Sequence, residues 1–191
     1  MGMIDHFGLI APLYNRIFSK QEKPACLQFL PAIPNMWVLD AGGGSGRISA
    51  WLEDKDVTVV IGDASFKMLR HAKAFDTLCK TCLVSEEICF LPESFEAVLM
   101  VDAFHHVSDQ AKTLSELWRV VKPGGKIIIE EPNIHRWGVK LIALAEKLLL
   151  MRSHFVSPEK IAKLLQDFGA NVEIQYDDHF TTAFILAIKD R

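Results

Sequence analysis

Four short apolar runs in this chain do not alternate with polar residues: Trp37–Leu39, Val57–Ile61, Ala97–Val101 and Ile127–Ile129. A strand with one wet face alternates with period two, so unbroken runs of this length describe strands covered on both faces. Helical patterns separate them. Ile48, Trp51 and Leu52 share one face, and Leu114, Leu117, Trp118 and Val121 recur at helical spacing. Lys122-Pro123-Gly124-Gly125 stops that second helix and turns the chain. Ser157-Pro158-Glu159 reads as another helix start, with Ser as N-cap and Pro at the first helical position. Its face is Ile161, Leu164, Leu165 and Phe168, and Gly169 closes it. A weaker strand is expected over Thr81–Val84, and two more, Val172–Tyr176 and Thr182–Ile188, follow Gly169. Strand alternating with helix predicts an α/β fold, a doubly wound, seven-stranded, mostly parallel sheet. The closing pair of strands adds an antiparallel strand at its C-terminal end.

At 191 residues the chain is one domain's worth, long enough to bury a full core without metal or disulfide staples. Residues 36–191 are expected to form the core and residues 1–35 a helical cap. Lys+Arg 21 against Asp+Glu 24 is too balanced for a protein that lives on phosphate backbones, so no nucleic acid partner is expected. No apolar run reaches the roughly 18 residues of a membrane span. Asp5 and His6 interrupt anything like a signal peptide, so a cytoplasmic protein is expected. Four cysteines, Cys26, Cys79, Cys82 and Cys89, then read as reduced thiols packed in apolar surroundings. A lone Cys79-x-x-Cys82 has no second pair to complete a metal site, so no metal is expected.

In a doubly wound sheet, ligands bind beyond the carboxyl ends of the strands. The segment that leaves the first strand there is Asp40-Ala41-Gly42-Gly43-Gly44-Ser45-Gly46-Arg47. Glycines at alternate positions allow positive φ and close backbone approach to a ligand, and a helix opening near Arg47 would offer free N–H groups. No Gly-Lys-Ser/Thr follows, which excludes a P-loop, and Gly-x-Gly-x-x-Gly fails at Arg47 or Ser49, which weakens a dinucleotide reading. Asp-x-Gly-x-Gly-x-Gly is complete at Asp40, Gly42, Gly44 and Gly46. An acid in the loop would repel a pyrophosphate but suits a zwitterionic nucleoside.

Val38 to Gly46 resembles the first motif of the class I S-adenosylmethionine-dependent methyltransferases, most closely the branch of the ubiquinone and menaquinone biosynthesis C-methyltransferases. Ile61-Gly62-Asp63-Ala64-Ser65-Phe66-Lys67-Met68-Leu69 is similar to that family's second-strand motif. Ser94 to Val98 and Val101 to His106 resemble the fourth-strand block, and Val121 to Gly125 the turn into the fifth strand. Phe7 with Ile10 to Tyr14 is like the branch's N-terminal motif. The resemblance implies a Rossmann-like fold, S-adenosylmethionine as cofactor, S-adenosylhomocysteine as product, and methyl transfer to an acceptor. It assigns the cofactor to Asp40, Gly42, Gly44, Gly46, Asp63, Ala64, Met68 and Asp102. The stretch Leu83 to Glu87 departs from the family's acid after the third strand, which leaves Glu86 for the adenine side.

Each assignment has a plainer counterpart. Asp63 can hold both hydroxyls of a ribose or simply favour the N-terminus of the helix behind Ser65. Asp40 can meet the amino acid end of the cofactor or anchor the loop backbone. Methyl transfer from a sulfonium needs alignment and dryness more than acid–base chemistry, so a base matters only for a proton-bearing acceptor. His105 and His106, just past the Ala97 strand, are the candidates, against a role in shaping the loop. Tyr14 either closes over the site or packs with Leu13 and Phe18. Glu130 and Glu131 end the fifth strand, with one expected on each face. His154–Phe155 precede the Ser157 cap, and Leu141, Leu144, Leu148 and Met151 form an apolar stripe that suits a small-molecule acceptor or merely covers the sheet. A non-catalytic nucleoside-binding module and an NAD-dependent oxidoreductase are the competing functions.

Overall fold

The apolar runs pair side by side into one seven-stranded sheet of order β3-β2-β1-β4-β5-β7-β6. The strands are β1 (Met36–Ala41), β2 (Val57–Asp63), β3 (Leu78–Cys82), β4 (Phe95–Val101), β5 (Val121–Pro132), β6 (Asn171–Tyr176) and β7 (Thr182–Ile188). The computed structural model describes residues 23–31, 33–53, 55–73, 77–140 and 153–190. β1 to β5 pair in parallel, and β7 lies antiparallel between β5 and β6. This is the expected α/β, Rossmann-like architecture.

Consecutive strand residues point to opposite faces, so each run feeds two cores. Leu39, Val98, Met100, Ile127 and Ile129 face one side, where Leu114 and Leu117 of α2 (Gln110–Val120) and Ile161 and Leu165 of α3 (Pro158–Asp167) cover them. Val38, Val59, Ile61, Leu99 and Ile128 face the other, with Leu69 of α1 (Phe66–His71) packed there. Each of these three helices starts on a side-chain cap. Ser65 accepts from the Met68 N–H, Asp109 from Lys112 and Ser157 from Lys160, which satisfies donors that the first turn leaves unpaired.

Several boundaries differ from expectation. The third strand is Leu78–Cys82 rather than Thr81–Val84, because β2 ends at Asp63 opposite Cys82; beyond it Leu83 N–H makes one last bond to the Asp63 carbonyl and Val84 turns to bridge Glu87. Leu83 turns inward and Val84 outward, at 7% and 43% exposure. No α-helix opens at Arg47; the chain passes through turns into a short 3-10 segment, Ser49–Leu52, and Trp51 is exposed. Lys122-Pro123-Gly124-Gly125 is a bulged start of β5, where the register jumps from Phe95 opposite Val121 to Ala97 opposite Lys126. Phe168 ends α3 outside the core, stacked on Trp118 at 6.3 Å. Of the expected N-terminal cap, residues 1–22 lie outside the described residues, and Ala25–Phe29 form a 3-10 turn with Cys26 buried. The apolar stripe from Leu141 to Met151 also lies outside them.

The two-faced core predicts graded losses. Leu117→Ala, at a fully buried α2 position, should lower unfolding free energy by about 2–5 kcal/mol. Ser157→Ala should cost only about 1 kcal/mol. Guanidinium unfolding of the two variants beside the parent measures both.

Candidate functional site

β1 is flanked by β2 on one side and β4 on the other, so the strand order reverses at the β1–β4 boundary. The loops after those strands part there and leave a crevice at their carboxyl ends. The glycine loop occupies it. Gly42 N–H donates to the Gly62 carbonyl at 2.7 Å, and Gly46 N–H to the Gly43 carbonyl at 2.8 Å. Gly42 and Gly44 have φ of +72° and +54°, values that an L side chain rarely adopts. A Cβ on Gly42 would also stand 2.6 Å from the Ala103 methyl, so the loops after β1 and β4 touch at a point only glycine permits.

Asp63 joins this loop to the end of β2. Its Oδ2 accepts the Gly44 N–H at 2.9 Å and its Oδ1 accepts the Ser65 N–H at 2.7 Å. Met68, on α1, brings its methyl group to the same spot, 3.2 Å from where a Gly44 Cβ would lie. Ala64 contributes its carbonyl, which faces the Cys82 thiol at 3.6 Å. Asp40 lies beneath the loop rather than in the crevice. It is 1% exposed, accepts the Ser49 hydroxyl at 2.6 Å, and leaves no room for a Cβ on Gly43. Burial pushes its carboxyl up to about 6, against the pull of Ser49 and Arg47. Gly46 faces the core, where a Cβ would meet Ile61 at 2.9 Å.

The far wall follows β4. Asp102, at φ +51°, pairs with Arg47 of the glycine loop at 3.0 Å. Glu130, at the end of β5, faces the same side; burial raises its carboxyl to about 7, and Asp102 adds repulsion. Glu131 points to the opposite face, as expected for neighbours on a strand, and meets His105. His106 is held at about 3 by burial and by His105 beside it. Glu86 Oε1 accepts the N–H groups of Ser108 and Asp109, so this carboxylate ties the β3–β4 connection to the start of α2.

Asp40, Gly42, Gly44, Asp63, Met68 and Asp102 are thus gathered around one crevice. Tyr14 lies outside the described residues. Arg47, Ser49 and Gly43 are additions. The three-glycine run and the Asp40–Ser49 spacing carried their signal, but which side chain lies under the loop depends on the fold. One expectation about the cysteines is overturned: Cys79 and Cys82 are exposed because β3 is an edge strand, Cys89 is exposed in the connection between β3 and β4, and only Cys26 is buried. A separate cleft of about 380 Å³ between Trp37, Phe90, Phe95 and Lys122 opens at the amino ends of the strands, away from these groups. Among the described residues no helix is long and apolar enough to cross a membrane.

Comparison with known proteins agrees with this geometry. Residues 39–129 match the family described as "Methyltransferase domain". The chain is 32% identical over 141 residues to a demethylmenaquinone methyltransferase of Beutenbergia cavernae, covering 71% of this chain and 59% of the relative. It is 30% identical over 158 residues to the mitochondrial ubiquinone biosynthesis O-methyltransferase of Mus musculus, covering 74% and 43%. The chain therefore spans about half the length of these curated relatives. Its fold matches a methyltransferase solved in complex with the Trm112 methyltransferase activator of Haloferax volcanii, with a TM-score of 0.86 at 18% identity over 100% of both chains.

Burial of Asp40 fixes the sign of a pH effect. Its folded pKa lies above its unfolded one, so between about pH 4 and pH 6 the folded state holds more protons and rising pH lowers stability. Asp40→Asn removes that dependence. The variant should gain roughly 1–3 kcal/mol relative to the parent across this window. Unfolding titrations at several pH values measure the difference.

Proposed function

With a core that belongs to the class I methyltransferases, in the branch of the ubiquinone and menaquinone enzymes, we propose that the protein transfers a methyl group from S-adenosylmethionine to a small-molecule acceptor. The observation that carries this reading is the Gly44 N–H on Asp63 Oδ2 at 2.9 Å, which fixes a carboxylate against open glycine backbone at the switch point of the sheet. In this reading the carboxylate that holds the loop also accepts the ribose hydroxyls, since a carboxylate oxygen can accept more than one donor. The residues present suit such a nucleoside. A Cβ at position 44 would crowd the Met68 methyl, at 3.2 Å, and lie in contact with Asp63 Oδ2, at 3.8 Å, so glycine leaves the carboxylate uncovered on this side.

In this reading Ala64 and Met68 flank the nucleoside and Glu86 steadies the adenine side by fixing the loop before α2. Asp40 acts from below, through Ser49 and Gly43, by holding the loop in its turn. The Arg47–Asp102 pair borders the amino acid end. When bound, S-adenosylmethionine supplies an electrophilic methyl group whose leaving group needs no proton. The work left to the chain is to align the acceptor and exclude water. The names of the relatives support an acceptor of similar kind, a largely apolar ring compound.

Calorimetry with S-adenosylhomocysteine should detect binding to the parent protein. Asp63→Ala should weaken it by about 1–3 kcal/mol, some 5- to 150-fold. Preference for NAD over the thioether would overturn the cofactor, and an unchanged affinity would remove Asp63 from the site. Radiolabelled cofactor offered with pooled quinol precursors, lipids, proteins and tRNA tests the acceptor: label should enter the small molecules, and label confined to protein or tRNA would contradict the reading.

A further inference from the structure

Arg47 and Asp102 join the two loops that part at the crevice. Arg47 follows the last glycine of the loop after β1, and Asp102 is the first residue after β4. The charges lie 3.0 Å apart with side chains 34% and 38% exposed, so neither is sealed from solvent. The same loops touch at Gly42 and Ala103. An ion pair this exposed adds little to stability. Asp102 also sits at φ +51°, a setting uncommon outside glycine and one that clusters at ligand sites. The charges around the pair are unbalanced. Burial raises the carboxyls of Asp40, Asp102 and Glu130, and Arg47 is the one cation that pulls against it at all three. Glu130 Oε2 is buried and accepts no hydrogen bond among the described residues. Such a setting favours a ligand that brings a cation of its own.

We infer that Arg47 and Asp102 are a clamp for the amino acid end of the cofactor, Arg47 taking the α-carboxylate and Asp102 the α-ammonium. This rests on the methyltransferase reading above. β1 separates β2, which carries Asp63, from β4, which leads to Asp102. Two strand spacings, about 10 Å, therefore lie between the ribose side and the pair, room for the thioether arm that joins the two ends of the cofactor. The exchange is even in charge. Each member of the pair gives up the other and gains the opposite charge of the ligand, so neither is left without a counter-ion. The guanidinium has five donors in a planar fork, of which the bond to Asp102 engages Nη2, and a carboxylate fits that fork with both oxygens. Asp102 trades one cation for another, with Glu130 adding attraction from the end of β5. A nucleoside without the amino acid end leaves the pair closed and gains nothing from it. An amine without the carboxylate would draw Asp102 away and strand Arg47.

Calorimetry on the full chain with three thioethers tests the clamp. They are S-adenosylhomocysteine, methylthioadenosine, which lacks the amino acid end, and the aminopropyl thioether of adenosine, which lacks only the carboxylate. The parent should bind S-adenosylhomocysteine about 10- to 100-fold tighter than either of the others. Arg47→Met should erase that preference by weakening S-adenosylhomocysteine, with methylthioadenosine within about threefold of its parent value. Arg47→Lys keeps the charge without the fork and should fall between the two. Asp102→Asn, which the left-handed backbone tolerates, should weaken S-adenosylhomocysteine and the aminopropyl thioether together and spare methylthioadenosine. A parent that binds methylthioadenosine as tightly as S-adenosylhomocysteine would overturn the proposal. So would a loss shared equally by all three ligands in both Arg47 variants, since a pair that only ties the loops moves them together. A parent that binds none of the three would instead overturn the cofactor reading beneath it.

Discussion

The hydrogen bond from the Gly44 N–H to Asp63 is the contact on which the arrangement of this site depends. It spans 19 residues and joins the loop after β1 to the end of its neighbour β2. Asp63 accepts Ser65 N–H at the same time, so one carboxylate sets both the glycine turn and the entry to α1. Such charge-assisted bonds are short and strong, and here they replace the helix N-terminus that a glycine loop of this kind often leans on. The chain leaves the loop through turns and a 3-10 segment, so its shape must come from elsewhere. Asp40 supplies the rest from below. It is buried and bonded to Ser49, with Gly43 lying close against it.

The two faces of the sheet treat charge differently at this edge. On one, Asp40, Asp102 and Glu130 gather around Arg47, a net negative setting suited to a ligand that carries positive charge. On the other, Glu131 and His105 form a closed pair beneath Phe155. The alternation of side chains along β5 separates the two carboxylates of Glu130 and Glu131 in this way. One strand end thus places one carboxylate beside Arg47 and Asp102 and the other against His105, without bringing the two together.

The inner strands and their order were readable because Val57–Ile61, Ala97–Val101 and Ile127–Ile129 are buried on both sides and show it in their unbroken apolar runs. β3 begins three residues and ends two residues earlier than expected for the converse reason. It is an edge strand, and Leu78-Cys79-Lys80-Thr81-Cys82 mixes polar and apolar residues because half its surroundings are solvent. Its exposed thiols follow from the same fact. The glycine loop was readable from spacing, since positive φ selects glycine wherever it falls. The tie between Glu131 and His105 was not, because it joins residues 26 apart and exists only once Val101 is registered opposite Glu130. Gly46 shows the limit of motif reading: it fits the pattern of a ligand loop, yet it faces Ile61 in the core.

The central claim is that a nucleoside lies across the glycine loop with its ribose on Asp63. A crystal structure of the chain soaked or grown with S-adenosylhomocysteine tests this most directly. The account predicts density over Gly42 and Gly44, with both ribose hydroxyls within hydrogen-bond distance of the Asp63 carboxylate. Density in the cleft between Trp37 and Lys122 at the opposite end of the sheet, with the Asp63 crevice empty, would contradict it.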